Sequence, residues 1–387
     1  MIAPWAALSH FRRRPLVAEA AEGAGAAESR CSTQKNRAAR GGGSVVAGLR
    51  AISPAPGRAS WSGAMNPRFG YLCLFDNPTL EAGRALTRQL ILVREAERMR
   101  FDDIWFAEHH FDDHFPSGAN SVMLGYAAGV TMRARIGSAS FLPALRDPIQ
   151  LAEDVASIDL LTKGRFSFGV ASGADFPKQT LNFGVAPEDA NERGLEALEL
   201  VERLLLESEV THKGKYFQVE KLSLSPRPEQ KVPTWIATTA ESTIRLAARK
   251  GYGLMASATC TNDELHRILG VYKDEAPDGD PRLVLARFGF ATQERAEAVS
   301  IATPYLEDYC AKANAARAEG EAPLDPQALL SMSLVGSFKE VADQVNSLNE
   351  EFGVHGIAMA PTTSQFDTVK RCLAAFVDEI RLRLPVD

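Results

Sequence analysis

The chain has 387 residues, 45% hydrophobic and 24% charged, a globular composition long enough for one large domain or two small ones. A net charge of -6 argues against a nucleic-acid or anionic-membrane surface, and no apolar run approaches the ~20 residues that span a bilayer. The five cysteines (Cys31, Cys73, Cys260, Cys310, Cys372) are scattered without C-x-x-C spacing, which disfavours a disulfide scaffold or zinc ribbon and fits free thiols in a reducing cytoplasm.

Residues 1–64 read differently from the rest. They are rich in Ala, Gly, Ser and Arg, carry Arg12-Arg13-Arg14 and Gly41-Gly42-Gly43, and hold only three acids, Glu19, Glu22 and Glu28. Without apolar periodicity they cannot bury enough surface to offset chain entropy, so a disordered extension is expected. Gly23-Ala24-Gly25 has no preceding strand and no third glycine, which rejects a dinucleotide loop. The Arg-rich, acid-poor bias fits an organelle transit segment. The preferred reading is a natural start at Met65, because Phe69–Phe75 follows at once as a buried strand. The folded domain is expected to cover residues 65–387.

From there strand and helix patterns alternate. Apolar spacing at Leu86, Leu90, Val93 and Ala96 predicts a helix over Glu81–Met99, then a strand at Ile104–Ala107. A helix is predicted over Ser121–Met132 and a strand over Ile136–Phe141. Asp147 followed by Pro148 starts a helix to Leu161, which Lys163-Gly164 ends, and Arg165–Val170 is the next strand. A helix over Asn191–Glu207 precedes a short hairpin, His212–Val219. Thr234–Ala237 is a strand, Ser242–Lys250 a helix, Gly253–Ala256 a strand and Leu283–Phe290 a strand. A long insertion runs to Ser333, then a helix Ser337–Phe352, a strand Gly356–Ala360 and a closing helix Thr368–Leu384. About eight βα units imply parallel strands with helices outside, and favour an α/β fold closed as a (β/α)8 TIM barrel with an insertion after strand seven over an open doubly wound sheet. Neither G-x-G-x-x-G after the first strand nor G-x-x-x-x-G-K-[ST] is present, which argues against Rossmann and P-loop enzymes.

In such a barrel the chemistry sits at C-terminal strand ends. Four of these ends are suggestive. Glu108-His109-His110 follows an apolar run. It reads as bonded rim residues, as a metal site with Asp112, Asp113 and His114, or as a catalytic base, since one imidazole titrates near neutrality. Adjacent residues on an extended chain point opposite ways, so His109 and His110 cannot easily share one ion, and His355 is the only other histidine near a strand. Ser138-Ala139-Ser140 ends strand three. Ala171-Ser172-Gly173-Ala174 has small residues that let backbone approach a ligand, but it lacks the G-x-S-x-G of a nucleophile elbow. Thr238-Thr239-Ala240-Glu241-Ser242-Thr243 leads into a helix, where Ser242 is either a plain N-cap or part of a phosphate site at the helix N-terminus.

The order of these motifs resembles the luciferase-like, flavin-dependent monooxygenase family. Phe106-Ala-Glu-His-His-Phe111 is similar to the Leu-Glu-His-His-Phe strand end of the bacterial luciferase alpha subunit. Ile136–Pro143, Asp147-Pro148, Ala152–Val155, Leu161–Val170 and Ala240–Ala248 look like the family's next blocks, in the same order. The resemblance implies a barrel binding reduced FMN at its C-terminal rim, with O2 forming a flavin hydroperoxide that oxygenates a small apolar organic substrate. It implies a base or peroxide-positioning role for His109 and an acid near the flavin for Glu108. It implies a non-prolyl cis peptide at Ala139-Ser140, cofactor contacts from Ser172, Gly173 and Ala174, and phosphate contacts from Ala240, Glu241, Ser242 and Thr243. Ser172 stands where the luciferase subunit has an arginine, for which Arg146 or Arg245 are the candidate substitutes. It further implies a helical lid within the insertion between Phe290 and Ser333, a separate flavin reductase, and a homodimer packed through Ser121–Met132 and Asp147–Leu161; no bound metal is expected, and the charge, hydropathy and thiols above give the expectation of a cytoplasmic protein with no nucleic-acid or membrane partner. Phe75, Phe111, Phe115, Phe141, Met255 and Met359 are expected near an apolar pocket. The alternatives are an oxidoreductase using the deazaflavin F420 on the same barrel, a metal-dependent barrel hydrolase, and a non-catalytic flavin-binding subunit.

Overall fold

The computed structural model describes residues 66–172, 177–316 and 322–385, all within one compact unit, Ser60–Asp387. The expected extension, residues 1–64, lies outside the described residues. The described elements are β1 (Arg68–Cys73), α1 (Ala82–Arg98), β2 (Asp103–Phe106), α2 (Asn120–Val130), β3 (Arg135–Ser138), α3 (Pro148–Thr162), β4 (Phe166–Ala171), α4 (Pro177–Asn182) and α5 (Pro187–Leu206). A hairpin, β5 (Val210–Lys213) and β6 (Gln218–Leu222), precedes β7 (Thr234–Ala237), α6 (Glu241–Lys250), β8 (Gly253–Ala256), α7 (Asn262–Glu275) and β9 (Leu283–Thr292). The chain ends with α8 (Arg295–Ala316), α9 (Pro326–Met332), β10 (Leu334–Ser337), α10 (Phe338–Phe352), β11 (Val354–Pro361) and α11 (Phe366–Ala375).

Eight parallel strands close into a ring in the order β1-β2-β3-β4-β7-β8-β9-β11, so the expected (β/α)8 TIM barrel is the fold. β10 stands outside this ring. It pairs with the last four residues of the long β9, while β11 takes the first seven. Local rules account for several boundaries. Asp147 Oδ1 accepts from the amides of Ile149 and Gln150 at 2.9 and 3.1 Å, capping α3 ahead of Pro148. Lys163 and Gly164 then end α3 with positive φ of 55° and 78°.

Strand alternation sorts the apolar residues into two layers. Phe69, Tyr71, Ile104, Phe106, Phe166, Leu283 and Met359 face the helices. Leu72, Trp105, Trp235, Val284, Phe288, Ala358 and Ala360 fill the barrel interior. The two indoles meet edge to face at 5.9 Å. Glycine makes room for them: a Cβ at Gly137 would lie 2.4 Å from the Trp105 ring, and one at Gly253 2.1 Å from the Trp235 ring.

The insertion after strand seven is helical, and α8 changes layer along its length. Ala298 and Ala302 pack in the outer core, whereas Leu306 and Cys310, beyond Pro304, join the interior cluster. Leu329 of α9 joins them. The second half of α8 and α9 therefore cover the C-terminal mouth of the barrel.

Candidate active site

The β2 end splits its ionisable residues between two sides. Glu108 follows Phe106 to the helix side, and its side chain is fully buried. Both its oxygens are engaged: Arg146 Nη2 donates to Oε2 at 2.8 Å, and His110 Nε2 lies 3.0 Å from Oε1. The Arg146 guanidinium also stacks 4.9 Å over the Phe141 ring. The His110 amide donates to Gln179 Oε1 at 3.1 Å, and its ring meets Phe183 edge to face at 4.8 Å. Glu108 and His110 thus form one bonded unit.

His109 follows Trp105 toward the mouth. Its amide donates to Ser117 Oγ at 3.0 Å, and its ring lies 5.7 Å from Phe115, which in turn adjoins Tyr309 of α8 at 6.4 Å. Burial lowers the His109 pKa below its ordinary value, opposed by the charges of Asp112 and Glu108. The imidazole is therefore neutral at neutral pH and able to accept a proton. His355 is no partner for it. It opens β11 at the opposite end of the barrel, where burial and Arg68, Arg282 and Arg135 push its pKa down to about 4. Among the described residues no cluster of three acidic, histidine or cysteine side chains could hold a metal ion.

β3 ends beside this unit. The Ala139–Ser140 bond is a non-prolyl cis peptide, and the Ala139 amide donates to the Phe106 carbonyl at 2.7 Å. Ser138 Oγ donates to the Gly169 carbonyl at 2.8 Å and accepts from its amide at 2.9 Å, tying the β3 end to β4. Ala139 packs against the interior cluster and Ser140 is buried.

On the far rim, Ser172 follows β4; Gly173 and Ala174 lie outside the described residues. Ser172, Thr238 and Thr243 line one cavity of about 20 Å³, water-sized. The N-cap of α6 is Ala240, with no side-chain cap bond, rather than Ser242, which is exposed within the first turn. Thr243 is 3% exposed and its hydroxyl has no partner. Neither candidate substitute arginine reaches this turn free-handed. Arg245 pairs with Glu241 at 2.6 Å and Glu275 at 3.2 Å, and Arg146 is committed to Glu108. The cation that does reach the turn is Arg267 of α7, whose Nη2 donates to the Thr239 carbonyl at 2.9 Å.

Sequence reasoning missed Asp76. It follows β1 after a turn at Phe75, whose φ is 62°. Its Oδ2 is buried without a partner, and burial pushes its pKa up to about 6 against the opposing charges of Lys312 and Arg88. Asp76 and Tyr305 of α8 line one small cavity. The signal was the one that marked Glu108, an acid closing an apolar strand run. The expected apolar lining also needs correction. Phe75, Phe141 and Met359 face the helix layer because strand alternation turns them outward, and Phe111 is 71% exposed. Only Met255 and Phe115 face the mouth, beside Leu74, Phe288, Tyr305 and Tyr309.

The luciferase-like monooxygenase family profile matches residues 65–356. The chain is 26% identical over 212 residues to the alkanal monooxygenase alpha chain of the Kryptophanaron alfredi symbiont, covering 54% of this chain and 59% of that one. It is 30% identical over 173 residues to the F420-dependent glucose-6-phosphate dehydrogenase of Kineococcus radiotolerans, covering 42% and 50%. The matched stretch thus spans only half to three fifths of these curated relatives. Among solved structures, the oxygenating constituent of 3,6-diketocamphane monooxygenase from Pseudomonas putida, in complex with FMN, superposes with a TM-score of 0.71 at 18% identity, covering 84% of this chain and 100% of that one; this likeness speaks for the fold. With the family profile covering three quarters of its length, the chain belongs to the luciferase-like monooxygenase family of flavin- or F420-dependent oxidoreductases.

Proposed function

We propose that the protein is a flavin-dependent monooxygenase that takes reduced FMN and O2 and oxygenates a small apolar organic substrate. The observation that carries the reading is the far rim: an uncapped helix N-terminus beside the buried, unpartnered Thr243 hydroxyl, with Arg267 at the preceding turn. Those groups fit a phosphate, which accepts hydrogen bonds and complements a helix dipole. When bound, reduced FMN supplies the two electrons that let one oxygen atom of O2 enter the substrate while the other leaves as water.

The chain's own residues have separate tasks in this reading. The amides of Glu241 and Ser242, with Thr243, hold the phosphate, and Ser172 lies beside them; Gly173 and Ala174, outside the described residues, are cofactor contacts in the same proposal. Ala139 and Ser140 form the floor under the flavin ring. Met255 and Phe288 supply an apolar wall. Neutral His109 accepts a proton on the ring nitrogen facing the mouth. Glu108 acts as a positioning residue, fixing the strand end through Arg146 and His110. Leu306, Tyr305 and Tyr309 of α8 exclude water from the reacting centre. A separate reductase supplying reduced flavin and a cytoplasmic homodimer belong to the same proposal. Exposed Val122 and Met132 at α2 and Leu161 of α3, at 64%, 80% and 62% exposure, suit a dimer face.

The second reading is an F420-dependent hydride transfer on the same barrel, favoured by the glucose-6-phosphate dehydrogenase relative. Anaerobic titration with reduced FMN and, in parallel, with F420 separates them. Saturable binding of reduced FMN, followed by 18O from 18O2 in the product of an aldehyde or ketone panel, is expected. Binding of F420 alone, without O2 uptake, replaces the first reading with the second; binding of neither removes both.

A further inference from the structure

Outside the barrel, on the helix side of β9, Arg287 is 1% exposed. Its Nη1 donates to the Ala286 carbonyl at 3.0 Å and reaches the Ser257 carbonyl at 3.4 Å. Its Nε and Nη2 have no partner. These two nitrogens form the side-on edge of the guanidinium, the fork that receives both oxygens of a carboxylate or two of a phosphate. The two carbonyls fix the plane of the guanidinium and leave that fork without a partner.

Arg287 lines a cleft of about 380 Å³ together with Asn262, Ser331, Ser333, Gln344 and Ser347, a volume that suits a small metabolite, and both its unpartnered nitrogens are buried. Gln344 lines the same cleft, and its buried Oε1, an acceptor, has no partner. The cleft's two carboxylates are already paired, Asp343 with Lys339 at 2.6 Å and Glu351 with His266 at 2.8 Å. Among the described residues the only ionisable group acting on Arg287 is the Cys260 thiol. Burial lowers the Arg287 pKa to about 10, which leaves it cationic at neutral pH. A buried cation with no counter-ion is costly unless something else supplies the negative charge.

We propose that Arg287 anchors an oxyanion-binding site between β9, α9 and α10, for a small molecule bearing a carboxylate or phosphate, distinct from the barrel mouth. The site adjoins α9, whose Leu329 packs into the interior cluster. The inference does not depend on which cofactor the barrel holds.

The test uses the full chain, followed by thermal unfolding and calorimetry with inorganic phosphate and with citrate, against sodium chloride at matched ionic strength. A saturable rise in Tm with one of the two probes is expected. Arg287→Lys, which keeps the charge but loses the fork, should weaken that binding by about tenfold or more. Gln344→Glu places a carboxylate in the cleft; it should raise Tm without added anion and abolish the response, which keeps the test open if Arg287→Lys fails to fold. No response beyond the chloride control, or an unchanged response in Gln344→Glu, overturns the proposal. The response to phosphate against that to citrate tells which oxyanion class the cleft prefers.

Discussion

The two rims of the barrel mouth are built on opposite principles. At the β2–β3 rim, both Glu108 oxygens are bonded, by Arg146 and His110, and Ser138 is bonded both ways to Gly169; only Arg146 Nε among these groups lacks a partner, and His109 is the ring left facing the mouth. At the β4–β7 rim, the helix start is uncapped and the Thr243 hydroxyl has no partner. A self-satisfied rim holds geometry before any ligand arrives, as proton transfer requires. An unsatisfied rim leaves polar groups whose partners a ligand can provide, so binding recovers what folding left unmade. On the proposed function the first rim serves chemistry and the second serves affinity.

The sharpest break of this contrast is His109→Ala. It should lower turnover by roughly 10²–10⁴-fold, the usual worth of a positioned acid–base group, with cofactor affinity nearly unchanged. Rapid-reaction kinetics beside an equilibrium titration check both halves. Loss of affinity equal to the loss of rate would move His109 to the binding rim. Because burial lowers the His109 pKa, activity should fall only when pH drops below the ordinary histidine range, not at neutral pH.

Next in size is Arg146→Ala. It leaves the buried Glu108 carboxylate without its cation, and removing one partner of a buried pair costs on the order of 3–5 kcal/mol. Because Arg146 keeps partial solvent access, the lower end, about 3 kcal/mol, is expected in denaturant unfolding. Arg146→Lys should recover part of this. An unfolding midpoint equal to wild type in Arg146→Ala would remove the idea of a preformed rim.

How much of this was legible in the sequence follows from what each feature depends on. The barrel was legible because each βα unit announces itself locally, as at Asp147-Pro148 and Lys163-Gly164. The α7 helix was not assigned, although Thr261 and Glu264 form a capping box that marks its start. His109 was legible because an apolar run ends there. The Arg267 contact was not, since nothing local says that a residue on α7 reaches a carbonyl 28 positions earlier. The misplacement of Met359 and Phe141 has a simple cause. Whether a rim residue faces in or out depends on strand register, and a one-residue shift reverses every assignment.

Asp76→Asn ranks third and probes a residue that belongs to neither principle: it follows β1, half-buried, with its Oδ2 buried and unpartnered. Its pKa is raised to about 6 in the folded state, above the unfolded value. The sign follows directly. A carboxyl that is harder to ionise when folded costs stability once it is charged, so this cost is absent below about pH 4 and fully present above about pH 6. Asp76→Asn should therefore raise stability by about 1–3 kcal/mol at pH 8 and by almost nothing at pH 4. Unfolding curves at the two pH values check it. An equal change at both would mean that the carboxyl's charge is irrelevant and that only its shape matters.

The smallest effect tests the unsatisfied rim itself. Thr243→Val is nearly isosteric and deletes a hydroxyl that has no partner in the chain. If that hydroxyl waits for a ligand, its removal should leave stability unchanged or slightly raised, because a buried polar atom without a bond is itself a cost. Affinity for the reduced cofactor should fall by about tenfold, the worth of one hydrogen bond to a charged phosphate oxygen. The pairing of signs is the discriminating result: a structural residue loses stability when altered, whereas this one should lose only binding. A Thr243→Val protein that unfolds earlier yet binds the cofactor as well as wild type would place the hydroxyl in the first rim's class and end the contrast between the two.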